Sequence, residues 1–179
     1  MSDRRPLAII PYGTFNHSVH ERAATHHRII KAQLELTYRC NLHCRHCYTD
    51  PCNAAAFFPR ELTLAEIHRL LSDMRELGVI WLNLTGGDIF MRPDFFDIYE
   101  SAVDHGFLLQ LYTNGTLFTR AIIERLQTHP PFSIDISCHS VEMNHSSTGS
   151  RRCPAPIAPS FVELSCCAPA IFPFPSRQN

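Results

Sequence analysis

The chain has 179 residues, of which 45% are hydrophobic, and this is enough apolar material for one folded domain or for part of a larger one. The 16 Lys and Arg side chains nearly balance the 17 Asp and Glu side chains, so the charge gives no reason to expect nucleic acid or an anionic membrane as a partner. The apolar run 7–11 is too short for a signal-peptide core or a membrane span, which favours a cytoplasmic protein without a membrane partner.

The chain contains eight cysteines, a number that would suggest disulfides in a secreted protein. Because no export signal is recognisable and the cytosol is reducing, metal ligation is the favoured use of these thiols. Four of them lie within 13 residues, at Cys40, Cys44, Cys47 and Cys52, whereas Cys138, Cys153, Cys166 and Cys167 are scattered.

Residues 1–32 form an N-terminal extension to which the sequence assigns no chemistry. From Gln33 the pattern becomes regular: residues 34–38 alternate as in a strand, and the cysteine cluster follows directly. Thr63 and Glu66 form a capping box ahead of an apolar stripe that ends at Gly78, which predicts a helix.

The elements that follow alternate in the same way. Strands are predicted at 79–84, 107–112 and 132–137, and helices at 93–105 and 119–128. Strand and helix repeat about every 25–30 residues, which is typical of βα units around a parallel sheet. The sequence therefore predicts an α/β fold in which four strands end at one edge of the sheet.

The spacing Cys40-x3-Cys44-x2-Cys47, on a loop directly after a strand, is the strongest chemical pattern in the sequence. Three thiolates can hold an iron–sulfur cube and leave its fourth iron open for chemistry. A structural zinc ion on three cysteines and either His43 or His46 is the alternative. Cys52 is left out of the cluster, because a fourth thiolate would close the open iron.

The loop 40–48 resembles the cluster-binding loop of the radical S-adenosylmethionine (SAM) superfamily. The resemblance implies a [4Fe–4S] cluster on Cys40, Cys44 and Cys47 whose open iron chelates the amino and carboxylate groups of SAM. It further implies that one electron passed to the sulfonium yields a 5′-deoxyadenosyl radical, which takes a hydrogen atom from substrate.

Residues at the ends of the later strands also resemble this family. The resemblance implies that the backbone of Gly86 and Gly87 and the carboxylate of Asp88 bind the SAM amino group, although Asp is one methylene shorter than the usual Glu. It implies further SAM contacts by Asn114, by Ser137 at the ribose and by His46 near the adenine. Ordinary structural roles are the alternatives: a tight βα turn for Gly86 and Gly87, a common Asn-Gly turn for Asn114, and simple solvent exposure for His46.

The resemblance covers about residues 33–149, or four of the six βα units of the family's partial (β/α) barrel, with His145-x3-Gly149 as its last feature. Residues 150–179 form a Pro- and Cys-rich irregular tail with six of the thirteen prolines, which indicates a disordered segment or a truncated, frame-shifted gene product.

The resemblance is greatest to members that modify ribosomal peptides or mature cofactors and haem. It implies a peptide or tetrapyrrole substrate and a flavodoxin- or ferredoxin-like electron donor. The alternative is a non-catalytic iron–sulfur or zinc-binding fragment.

Overall fold

The computed structural model of the chain describes residues 9–45 and 47–137. One four-stranded sheet lies at its centre, with all neighbouring strands parallel and in the order β1–β2–β3–β4. The strands are β1 (Lys31–Thr37), β2 (Trp81–Gly86), β3 (Leu108–Thr113) and β4 (Ser133–Ile136). The predicted α/β fold with four parallel strands is confirmed, and β1 begins three residues earlier than the alternating pattern indicated.

Four α-helices connect or flank these strands: α1 (Tyr12–Thr25), α2 (Leu64–Glu76), α3 (Phe95–Asp104) and α4 (Arg120–Thr128). Short 3-10 helices span Ala55–Arg60 and Ile89–Met91. The capping box of α2 is confirmed, because the Thr63 hydroxyl accepts from the Glu66 backbone N–H at 3.3 Å and the Glu66 carboxylate accepts from the Thr63 N–H at 2.8 Å.

The hydrophobic core lies between one face of the sheet and helices α2, α3 and α4. Alternate strand residues such as Leu34, Leu84 and Leu111 pack there against Ile67 of α2 and Ile98 of α3, and all five are buried. Each fully buried side chain of this kind stabilises the fold by about 2 kcal/mol. The period-2 and period-3.6 patterns of the sequence correspond to this core.

Helix α1 was not predicted from the sequence. Pro11 at its N-cap makes no side-chain capping bond, and Ala23 is the one buried residue of the helix, so neither a cap nor an apolar stripe marks it. Contacts far along the chain hold it instead: Trp81 Nε1 donates to the Tyr12 hydroxyl at 3.2 Å, and the Tyr12 and Phe132 rings lie 5.0 Å apart.

Among the helices of the described ranges, the longest has 14 residues, and none is long and apolar enough to cross a bilayer. The predicted features at 138–149 and the tail at 150–179 lie outside the described residues.

The buried Arg92 joins three parts of this fold. Its Nη1 donates to the Leu36 carbonyl at 2.8 Å and its Nη2 to the Leu62 carbonyl at 2.6 Å, while Nε and Nη2 bind the two carboxylate oxygens of Asp94 at 2.7 and 3.0 Å. The hydrogen bonds from Arg92 hold the pKa of Asp94 below its ordinary value, against the opposing effect of its partial burial. The carboxylate of Asp94 therefore stabilises the folded chain while it is ionised.

Close contact between two backbone segments fixes the end of β2 against the end of β1. The Gly87 N–H donates to the Thr37 carbonyl at 2.7 Å, and the Asp88 N–H donates to the Arg39 carbonyl at 2.8 Å. A Cβ atom at Gly87 would lie 2.2 Å from the Arg39 carbonyl oxygen, and one at Gly86 would lie 2.2 Å from that of Thr37. Only glycine fits at either position.

We predict that Asp94→Asn lowers the free energy of unfolding by about 2 kcal/mol at pH 7, because it leaves the buried Arg92 without its anionic partner. A carboxyl group whose pKa is depressed in the folded protein stabilises the fold at pH values above its pKa in the unfolded chain, about 4. This stabilisation is lost as the pH falls through the pKa of the folded state. The difference between wild type and variant, measured by urea denaturation, should therefore shrink between pH 5 and pH 2. Asp97→Asn, at an exposed position in the first turn of α3, is the control and should cost less than about 1 kcal/mol. An equal loss for Asp94→Asn at every pH would contradict this assignment.

We also predict that Gly87→Ala costs about 3 kcal/mol or more, since the new methyl group must push the backbone of Arg39 aside. Gly13→Ala is the matched control, because a Cβ there has no atom within 4 Å and the residue is helical, so the change should be neutral or slightly stabilising. Urea denaturation measures both variants, and equal stabilities would show that the close contact is absent.

Candidate functional site

The carboxyl ends of β1, β2 and β3 meet at one edge of the sheet, and the predicted site residues gather there. The cysteine loop begins directly after β1, the Gly86-Gly87 turn ends β2, and Asn114 follows β3. Since Gly87 and Asp88 bond to the backbone of Thr37 and Arg39, the loop is held in place immediately before its first cysteine. Parallel α/β folds bind their ligands at this edge.

Asp88 lies below this edge with an exposed fraction of 0%. Its Oδ1 accepts from the Phe90 N–H at 3.1 Å, and its Oδ2 accepts from the Thr113 hydroxyl at 2.7 Å and from the Asn114 N–H at 2.9 Å. The carboxylate thus connects the end of β2 to the end of β3. The contact of Asp88 with the SAM amino group stays a prediction. The contacts of Gly86 and Gly87 with SAM also stay predictions, since packing against the end of β1 already requires glycine at both positions.

Asn114 connects the turn after β3 to the cysteine loop. Its Nδ2 donates to Cys40 Sγ at 3.6 Å and to Asn41 Oδ1 at 2.9 Å, while its Oδ1 accepts from the Thr116 N–H at 2.9 Å. Asn41 completes the group by donating from its own Nδ2 to the Thr116 hydroxyl at 2.8 Å. The structure therefore places Asn114 against the sulfur of the first predicted cluster ligand.

The three cysteines of the motif differ in how firmly they are held. Cys40 is 5% exposed, and Asn53 binds both its backbone groups, accepting from the N–H at 3.1 Å and donating to the carbonyl at 2.8 Å. Cys44 and Cys47 are half-buried and joined by a backbone hydrogen bond of 3.1 Å, and Cys47 Sγ lies 3.2 Å from the Thr49 hydroxyl.

The thiol of Cys40 lies in a low-dielectric environment. Burial raises its pKa above the ordinary value, and hydrogen bonds from the Leu42 backbone and the Asn114 side chain act in the opposite direction. These N–H groups favour the thiolate, which is the form that binds metal.

The donor set of this loop fits an iron–sulfur cluster: soft thiols on a short segment, with an amide N–H directed at one sulfur. In the described part of the chain, no three His, Cys, Asp or Glu side chains converge where they could hold a single metal ion. His46, a candidate for both zinc and SAM, lies outside the described residues, whereas His43 is exposed.

Ser137 is the last described residue and is exposed. Its backbone N–H donates to the Thr113 carbonyl at 3.0 Å, so it lies at the same edge as the other site residues. Its predicted contact with the SAM ribose stays a prediction.

Several residues that shape the site were missed by sequence reasoning. Asn53 follows Cys40 by 13 residues, and no pattern connects the two. Arg39 pairs with Glu61, with its Nε 3.1 Å from Oε1, and its guanidinium lies 3.8 Å from the centre of the Phe58 ring. Asn41 directly follows a cysteine in the motif, and this position was the one available signal.

Comparisons with known proteins agree with this geometry. The model of the Radical SAM superfamily matches residues 34–153, more than half of the chain. The chain is 38% identical over 93 residues to the AdoMet-dependent heme synthase of Methanosarcina barkeri, covering 52% of this chain and 26% of that protein. It is 32% identical over 109 residues to the PqqA peptide cyclase of Bradyrhizobium diazoefficiens, covering 61% of this chain and 28% of that protein.

Among solved structures, SuiB of Streptococcus suis bound to the precursor peptide SuiA has a TM-score of 0.49 and 15% identity, covering 70% of this chain and 29% of that one. The chain spans 26% and 28% of the lengths of the two curated relatives. The segment matched by the family model contains the three-cysteine loop and the strand ends that pack against it, and the chain belongs to the radical SAM superfamily.

Proposed function

We propose that this chain supplies the cluster- and SAM-binding part of a radical SAM enzyme, with a [4Fe–4S] cluster on Cys40, Cys44 and Cys47. The observation that supports this most directly is the packing of three strand ends around the start of the cysteine loop, with Asn114 donating to Cys40 Sγ.

Three protein thiolates leave one iron for the amino and carboxylate groups of SAM. Once bound and reduced, such a cluster would supply the one electron that splits SAM into methionine and a 5′-deoxyadenosyl radical, which would take a hydrogen atom from substrate to become 5′-deoxyadenosine.

The residues of the chain bind and orient SAM in this proposal. The backbone of Gly86 and Gly87, with Asp88 behind it, borders the position of the SAM amino group. Asn114 lies between this position and Cys40. Ser137 binds the SAM ribose. His46 lies beside the adenine. Gly86, Gly87, Asp88, Asn114 and Ser137 lie at the carboxyl edge of the sheet, where a ligand lying across the strand ends would reach them together.

The names of the relatives support two classes of substrate, a tetrapyrrole as for the heme synthase and a peptide as for the PqqA peptide cyclase. In either case the reaction needs one external electron, and we propose a flavodoxin- or ferredoxin-like donor in the cytoplasm.

Anaerobic reconstitution with iron and sulfide tests the proposal. We expect about four irons per chain and release of 5′-deoxyadenosine from SAM after reduction. Cys44→Ala should lose the cluster and SAM cleavage, because two thiolates cannot hold the cube. Cys52→Ala is the matched control, since it removes a half-buried thiol of the same loop that we exclude from the ligands, and it should keep full iron content.

Other outcomes would favour the alternatives. Stoichiometric zinc without the visible absorption of an iron–sulfur cluster would favour a zinc-binding fragment. A full cluster that never cleaves SAM would favour a non-catalytic iron–sulfur fragment, and a full cluster in Cys44→Ala would refute the ligand assignment.

A further inference from the structure

The carboxylate of Asp88 is turned into the protein. None of the ion pairs in the described part of the chain includes Asp88, although its exposed fraction is 0%. Burying a carboxylate without a cation is costly unless hydrogen bonds replace the lost water, and here the donors are Phe90, Thr113 and Asn114. Such a buried acceptor fixes the position of its donors, and two of these donors start the turn that reaches the cysteine loop.

The orientation of the Asn114 carboxamide follows from this network. Its oxygen accepts from both the backbone N–H and the hydroxyl of Thr116, and its nitrogen donates to Asn41 Oδ1 and to Cys40 Sγ. If the amide were flipped, an NH₂ group would face the Thr116 N–H and an oxygen would face the sulfur. The surrounding donors and acceptors therefore direct an N–H group at Cys40 Sγ.

A donor at this sulfur has an electrical effect on any cluster bound there. An N–H dipole stabilises negative charge on the sulfur, and a reduced cluster carries one more negative charge than an oxidised one, so the hydrogen bond raises the reduction potential. The effect is strongest where water is excluded, and Cys40 is 5% exposed, whereas Cys44 and Cys47 are half-buried.

We propose that Asp88 and Asn114 form a relay that sets the reduction potential of the cluster through Cys40. Asn114 supplies the hydrogen bond to the sulfur, and Asp88 is a positioning residue that acts through the Asn114 backbone. This inference rests on the proposed function, because it requires a cluster on Cys40. It gives the aspartate of the Gly-Gly-Asp turn a task toward the cluster that is separate from any contact with SAM.

The midpoint potential of the reconstituted protein, followed by electron paramagnetic resonance during a redox titration without SAM, tests the relay. Leaving SAM out means that a SAM contact by either residue cannot affect the result. Asn114→Ala should lower the reduction equilibrium constant about tenfold, which corresponds to about 59 mV for one electron. Asp88→Glu keeps the negative charge but displaces the acceptor of the Asn114 N–H, because its side chain is one methylene longer, and it should shift the potential in the same direction by less.

A double variant and a matched control sharpen this test. Because Asp88 acts through Asn114, combining Asp88→Glu with Asn114→Ala should shift the potential no further than Asn114→Ala alone. Asn53→Ala is the control, since it also removes an asparagine that binds Cys40, but one that contacts the backbone and not the sulfur, and its potential should stay near that of wild type. If Asn114→Ala does not assemble a cluster, Asn114→Asp keeps the shape, removes the N–H groups and should lower the potential further by its charge.

The results separate the two proposals. A wild-type chain that binds a cluster and cleaves SAM, with an unchanged potential in the Asn114 variants, overturns the relay and leaves the proposed function intact. Equal shifts for Asn114→Ala and Asn53→Ala overturn it as well, as do additive shifts in the double variant. A wild-type chain that assembles no cluster overturns both.

Discussion

Two backbone hydrogen bonds, from Gly87 to the Thr37 carbonyl and from Asp88 to the Arg39 carbonyl, hold the start of the cysteine loop against the sheet. They hold the segment directly before Cys40 at the edge where β2 and β3 end. The bonds are possible because neither Gly86 nor Gly87 carries a side chain that would meet the passing strand. The position of the first thiol therefore depends on glycines that lie more than 40 residues further along the chain.

The same constraint explains the short side chain that follows the glycines. A glutamate at position 88 would reach about 1.5 Å further, and it would need more room than the fully buried pocket below the edge supplies to Asp88. Aspartate fits between the ends of β2 and β3 and accepts from Thr113 and Asn114 at 2.7 and 2.9 Å. The short aspartate side chain reaches less far toward a ligand above the edge, but it allows the carboxylate to accept these hydrogen bonds below the edge.

Periodicity identified the parts of the molecule that repeat. An alternating pattern marked β1, a near-continuous apolar run marked β2, and the capping box at Thr63 located the start of α2, because these signals act over a few neighbouring residues. Helix α1 lacks both a cap and an apolar stripe, and its contact with Trp81 spans 69 residues, so no local signal could reveal it. The motif identified the three cysteines, but the contacts of Cys40 with Asn53 and Asn114 depend on how distant segments meet.

These contacts also divide the cysteine loop into a fixed part and a freer part. Cys40 is buried and bound through its backbone and its sulfur, whereas Cys44 and Cys47 are half-buried and bound mainly to each other and to Thr49. A loop with one fixed ligand can close its other two ligands around a metal centre as it binds. In the proposed site, the fixed thiol would determine where the cluster lies relative to the strand ends, and the freer thiols would adjust to its shape.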